Sequence, residues 1–214
     1  MAAAQLAAEE RVVLRNVSWD TYEGLMRDHE HISAPRFTYD RGTLEIMSPL
    51  PVREHYNRLL ETLMFMVAEE LDIEVYSLGS TTYKREEFLR GFEADSCFYI
   101  QHEAAVRGKD RLDLSVDPPP DVVFEIDITH SSLAKLAIYA QFGVPEVWRF
   151  NGERFAILIR QEDGYVERAR SEALPAIMSD ALFALLRDSA GLSTLGWSRR
   201  VRAWLRRLAD TSDG

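Results

Sequence analysis

Cysteine is nearly absent from this chain: Cys97 is the only one in 214 residues. One thiol can form neither an internal disulfide nor a cysteine zinc cluster, so the sequence predicts a reducing, cytoplasmic setting. Apolar runs of membrane-spanning length are missing as well. The start, MAAAQLAAEERVVL, reaches Glu9 and Glu10 before any apolar run develops, which argues against a signal peptide. Positive charge is in deficit, with 25 Lys and Arg against 35 Asp and Glu for a formal net charge of −10. That balance opposes broad electrostatic attachment to nucleic acid, where phosphate contacts dominate affinity.

What is present suits one globular domain. Hydrophobic residues at 46% supply a substantial core, and the expected organisation is a single domain over 15–209 between a flexible 1–14 and a flexible tail at 210–214. SWDTYEGLMRDHE reads as a helix capped by Ser18, with Trp19, Tyr22, Leu25 and Met26 as its apolar stripe. RFTYDRGTLEIM reads as a hairpin turning at DRG. The longest helix is expected over 52–71. IEVYSL, TTYKR and SCFYIQ then switch to strand spacing, joined by loops containing Gly79 and Gly91. After three prolines comes DVVFEIDIT, then a helix in SLAKLAIYAQF capped by Ser131 or Ser132 and ended by Gly143. VPEVWRF, RFAILIR and GYVERAR follow as strands, with closing helices near 179–187 and 197–208. Strands alternating with helices predict an α/β fold, a mixed sheet flanked by helices, in which 121–150 is a βαβ crossover with a parallel pair.

The strand DVVFEIDIT carries a chemical problem. Alternation puts Val122, Phe124, Ile126 and Ile128 on one face and Asp121, Glu125 and Asp127 on the other. Covered strands do not gather like charges unless something neutralises them, which leaves two solutions: a bound cation or a water-facing margin. Asp95, which opens the neighbouring strand DSCFYIQ, favours the cation. Carboxylates from two adjacent strands can hold one hard divalent ion while leaving water positions open. Such an ion polarises a phosphoryl oxygen and acidifies bound water, as phosphodiester hydrolysis requires. Lys135, about one turn into the next helix and alone in an almost uncharged segment, is placed to stabilise developing negative charge.

These residues carry a resemblance. GFEADSCFYIQ and PPPDVVFEIDITHSSLAKLAIYAQFGVPEVWRF resemble the restriction endonuclease family abundant in cyanobacteria, within the PD-(D/E)XK nuclease superfamily. The similarity also takes in VSWDTYEGLM, RFTYDRGTLEIMSP, EHYNRLLETL and STTYKREEFLRGFEAD, so it covers nearly the whole chain. It implies a restriction-endonuclease-like mixed sheet flanked by helices, an N-terminal helix plus hairpin, and helices at the C-terminus. It further implies DNA as substrate and Mg²⁺ (or Mn²⁺) held by Asp95 and Glu125, with Lys135 supplied from the following helix and Glu54 joining from the first long helix. Two departures are visible. The proline of the PD pair is Ala94, which changes backbone stiffness more than chemistry. Asp127 occupies the third position of the (D/E)XK triplet in place of lysine, and is carried with the candidate catalytic set.

Other constellations are weaker. His29 and His31 lack partners in zinc spacing, His55 beside Glu54 needs no role beyond a helix start, and Cys97 reads as small packing. Asp121 lies too close to Glu125 on one strand to be the separate first acid. In GWSRRVRAWLRRLAD, Trp197, Val201, Trp204 and Leu208 form an inward stripe, while Arg199, Arg202 and Arg206 form another that offers a local basic surface. The apolar stripe alternatively suits a homodimer, which would set two metal sites against two strands of a duplex. The expectation is therefore a Mg²⁺-dependent endonuclease acting on DNA. The rivals are an inactive nuclease fold that binds DNA or protein, and a metal-dependent hydrolase of smaller phosphoesters.

Overall fold

The computed structural model describes residues 10–29, 32, 34–128 and 134–212. Its strands fall into two sheets. The first contains β1 (Glu10–Leu14), β2 (Arg36–Asp40), β3 (Thr43–Ser48), β5 (Thr82–Arg85) and β6 (Arg90–Glu93) in the order β1-β3-β2-β6-β5, antiparallel throughout. The second contains β4 (Tyr76–Ser77), β7 (Ser96–Tyr99), β8 (Val122–Ile126), β9 (Glu146–Phe150), β10 (Phe155–Gln161) and β11 (Gly164–Arg168) in the order β11-β10-β9-β8-β7-β4. Among the described strands only β8 and β9 run parallel, joined over α4 (Lys135–Phe142) as the expected crossover. The remaining helices are α1 (Trp19–Asp28), α2 (Pro51–Leu71), a short α3 (Glu103–Val106), α5 (Ser179–Ser189) and α6 (Thr194–Ser212).

Local chemistry explains the boundaries. Ser18 caps α1 by accepting the Thr21 N–H at 3.2 Å. Proline opens α2, where its missing N–H costs nothing, and Asp72 in the left-handed region closes it. Gly143, also left-handed, ends α4, while Ser131 and Ser132 lie outside the described residues. The single sheet expected from the sequence is two, and the missing piece is β6. Gly91 reads as loop punctuation, yet it is a strand residue over which α1 packs: an added Cβ would collide with the Tyr22 hydroxyl and ring. Residues 10–14, grouped in the sequence reading with a flexible start, pair with β3 as an edge strand.

Three apolar clusters hold these layers. On one face of the second sheet, Val122, Phe124 and Ile126 pack with Leu60, Leu63 and Met64 of α2, Leu182 and Leu186 of α5, and Trp197, Val201 and Leu205 of α6. On the opposite face, Val123 and Val147 meet Ile138, Tyr139 and Phe142 of α4, which lean on Tyr83 and Phe92 of the first sheet. Tyr22 and Met26 of α1 cover Phe37, Tyr39 and Leu44. Each large side chain so removed from water contributes roughly 1.5–3 kcal/mol. The alternation in DVVFEIDIT thus has its expected meaning: Glu125 shares the face of Val123, under α4.

Candidate active site

Asp95 stands where the chain leaves the first sheet for the second, between β6 and β7. Its N–H donates to the Phe124 carbonyl at 3.2 Å, and its Oδ2 accepts the Ile126 N–H at 2.7 Å. The side chain thereby takes the place of a ladder carbonyl beside β8. Two arginines complete its surroundings. Arg53 of α2 donates from Nε to Oδ1 at 2.9 Å and from Nη2 to Oδ2 at 2.8 Å, a two-pronged pair, and Arg36 of β2 donates from Nη1 to Oδ1. Burial alone would push the Asp95 carboxyl up, but the Arg53 and Arg36 guanidiniums outweigh it and hold the group below the usual carboxylate range.

Glu125 is the next-to-last residue of β8, on the face covered by α4. Lys135 Nζ lies 3.2 Å from its Oε1 and 3.1 Å from its Oε2, and the Tyr139 hydroxyl donates to Oε1. Lys135 and Tyr139 are four residues apart, so the helix presents both to the same carboxylate. Burial, then the negative Glu125, push the Tyr139 hydroxyl far above its ordinary range, which keeps it a proton donor. Arg53 Nη2 reaches Glu125 Oε2 at 3.6 Å as well, so one guanidinium nitrogen faces both acids. Glu54, next to Arg53 in the first turn of α2, accepts from Arg36 Nη2 at 2.6 Å.

The structure therefore gathers Asp95, Glu125, Lys135 and Glu54, and adds Arg36, Arg53 and Tyr139. Three carboxylates face three cationic side chains, and the formal charge of the set is zero. Asn57 joins through its backbone-directed amide, donating to the Asp95 carbonyl at 3.1 Å. Sequence spacing held a signal for some of these. Arg53 and Asn57 are an i, i+4 pair one side of Glu54, and Tyr139 is i+4 from Lys135. Arg36 carried no such signal, since its approach depends on how the two sheets join.

Asp127 does not enter this network. Its carboxylate pairs with Arg149 of β9, and its N–H donates to the Phe150 carbonyl at 2.7 Å. Asp121 caps the turn after β7, accepting the Ile100 and His102 N–H groups at 2.7 and 3.0 Å. His29 is the C-terminal cap of α1, with Nδ1 2.9 Å from the Leu25 carbonyl; His31 lies outside the described residues. His55 is exposed. Burial pushes the Cys97 thiol up to about 12, the opposite of an activated nucleophile. Glu93, two residues before Asp95, accepts from Thr82 Oγ1 at 2.5 Å and from the Phe37 N–H at 2.8 Å.

Among the described residues, no group of three or more His, Cys, Asp and Glu side chains is arranged to hold a metal. Asp95 and Glu125 form a pair, which is the protein share typical of a Mg²⁺ site completed by water and substrate phosphate. A positive nitrogen already stands between them, so the position suits a cation. No helix among the described residues is long and apolar enough to cross a membrane. On α6, Trp197, Val201 and Leu205 are buried while Arg199, Arg202 and Arg206 are exposed, and Arg200 pairs with Asp188 at 2.5 Å.

Comparison with known proteins agrees with this architecture. Residues 19–189 match the model of the Uma2 family, described as "Putative restriction endonuclease". A crystal structure of a "putative nuclease belonging to DUF820" from Anabaena variabilis ATCC 29413 superposes with a TM-score of 0.54 at 13% identity, covering 79% of this chain and 99% of that one. At that identity the likeness speaks to the fold alone. No curated protein matches the chain.

Proposed function

Because the chain belongs to the Uma2 family, we propose that it is a divalent-metal-dependent endonuclease hydrolysing DNA phosphodiester bonds. The observation that carries this reading is the pairing of Asp95 and Glu125 around a single positive nitrogen, with Lys135 Nζ 3.1 Å from Glu125 Oε2. Asp95 and Glu125 would hold Mg²⁺, with Mn²⁺ as a substitute. When bound, the ion supplies phosphoryl polarisation and an acidified water.

The chain's own groups do the rest. Lys135 carries a positive charge into a nearly dry position, its side chain 10% exposed, where it stabilises negative charge developing on the phosphate. Tyr139 fixes the Glu125 carboxylate through Oε1, which leaves Oε2 beside the Arg53 nitrogen that Asp95 shares. Glu54 acts from outside by holding Arg36. A two-fold dimer would offer one such site to each strand of a duplex.

Plasmid incubated with Mg²⁺ or Mn²⁺ tests this, with wild type beside Glu125→Ala and Lys135→Ala. Nicking or linearisation by wild type, lost in both variants, is the expected result. Wild type that leaves the plasmid intact, or undiminished cutting by Glu125→Ala, rejects it. One observation favours a second reading, an inactive nuclease fold that binds DNA or protein: all the lone-pair positions of Asp95 already have donors. Retention of plasmid in a gel-shift assay without any cutting assigns that role.

A further inference from the structure

We propose that Arg53 is the metal-free occupant of the cation position between Asp95 and Glu125, and that a divalent ion enters only by displacing its Nη2 group. The inference rests on the metal-dependent reading above and deepens it. A carboxylate offers about four lone-pair positions. Asp95 has four donors: Arg36 Nη1, Arg53 Nε, Arg53 Nη2 and the Ile126 N–H. A magnesium ion needs its oxygen ligands at about 2.0–2.1 Å in near-octahedral order, so it cannot be added to that set. One donor must leave.

The four are not equal. The Ile126 N–H is a backbone group of β8 and cannot withdraw without moving the strand. Arg36 pairs with Glu54 at 2.6 Å and with Asp95 but, among the described residues, not with Glu125, so moving it opens no bridge between the two acids. Arg53 Nη2 alone faces both, at 2.8 Å from Asp95 and 3.6 Å from Glu125. The longer distance lies beyond a hydrogen bond, so Glu125 is held to this partner by charge alone. Arg53 also starts from the first turn of α2, the end of a helix where positive charge is least favoured. It is a competitor that fits one acid well and the other poorly.

A competitor lowers apparent affinity by the fraction of molecules in which the position is open. Calorimetric titration of Mn²⁺ into wild type, Arg53→Gln, Arg36→Gln and Arg53→Gln/Glu125→Gln measures this without any reaction. The expected result is a gain in affinity of about tenfold or more for Arg53→Gln, larger than for Arg36→Gln and abolished in the double variant. The two single variants remove the same charge from the same carboxylate, so equal gains would reduce the effect to charge and overturn the proposal. Wild type binding as tightly as Arg53→Gln also overturns it, while leaving the nuclease reading intact. If neither binds Mn²⁺, and wild type cuts no plasmid, both fail together. Should Arg53→Gln not fold, the Arg53 Nε–H resonance of ¹⁵N-labelled wild type, assigned by its absence in Arg53→Lys, gives the answer. It is expected to shift as Mg²⁺ saturates the protein, and a fixed position at saturation rejects displacement.

Discussion

Asp95 Oδ2 accepts the N–H of Ile126 at 2.7 Å, which ties the first acid of the site to the strand carrying the second. The acid is thus a structural member before it is a chemical one, and changes to it report on both roles.

Asp95→Ala leaves two buried guanidiniums and the Ile126 N–H without their partner. Breaking a buried ion pair from one side costs about 3–5 kcal/mol. The loss is expected as a lower midpoint in urea denaturation. Glu54→Gln, whose side chain is 32% exposed, is expected to cost less than about 1 kcal/mol in the same experiment.

Lys135 acts through charge placed at one point. Lys135→Ala is expected to lower the rate of plasmid cutting by about 10²–10³ while plasmid retention in a gel shift stays within a few-fold. Parallel loss of retention would make the lysine a binding group instead.

The pH dependence of stability separates two neighbouring acids. Burial raises the Glu93 carboxyl above its usual range, and the Thr82 hydroxyl and Phe37 N–H offset only part of this. A raised folded value means that the folded state holds the proton more tightly, so stability falls as pH rises through that value. Glu93→Gln is therefore expected to melt above wild type at about pH 7, and the advantage should vanish toward about pH 4. For Asp95, burial is outweighed by Arg53 and Arg36, and the folded value is lowered. Its contribution is present above the unfolded value of about 3.9 and is lost only as pH falls through the folded one. Acid titration of Asp95→Asn should lack that component.

Gly91 and Tyr22 make a packing test away from the site. Gly91→Ala drives a methyl into the Tyr22 hydroxyl and is expected to cost about 1–3 kcal/mol. The Tyr22 hydroxyl is buried with no hydrogen-bond partner among the described residues, so Tyr22→Phe is expected to be neutral or stabilising. The double variant should recover part of the loss, measured as a non-additive shift in thermal melting.

The sequence exposed what depends on local spacing. Alternation in DVVFEIDIT separated Phe124 from Glu125, Ser18 marked the start of α1, and the crossover through α4 followed from two strands around a helix. It did not expose what depends on the meeting of distant segments. β6 was hidden because Gly91 is selected by a tyrosine sixty-nine positions earlier, and short strands carry little alternation of their own. Arg36 was invisible as a site residue for a similar reason, and the helical spacing of Arg53 and Asn57 names no target: nothing in RFTYD or PVREH says that both arginines fall on one carboxylate. Asp127 illustrates the reverse error. Its parity matched Glu125, but β8 ends at Ile126, and past that end Asp127 turns to Arg149.

The position of residue 95 at the crossing from one sheet to the other has a mechanical result. Any shear between the layers must pull on that carboxylate, and anything that grips it stiffens the seam. Occupancy of this one side chain should accordingly slow amide exchange in strands of both layers at once, making the seam a gauge of what the protein holds.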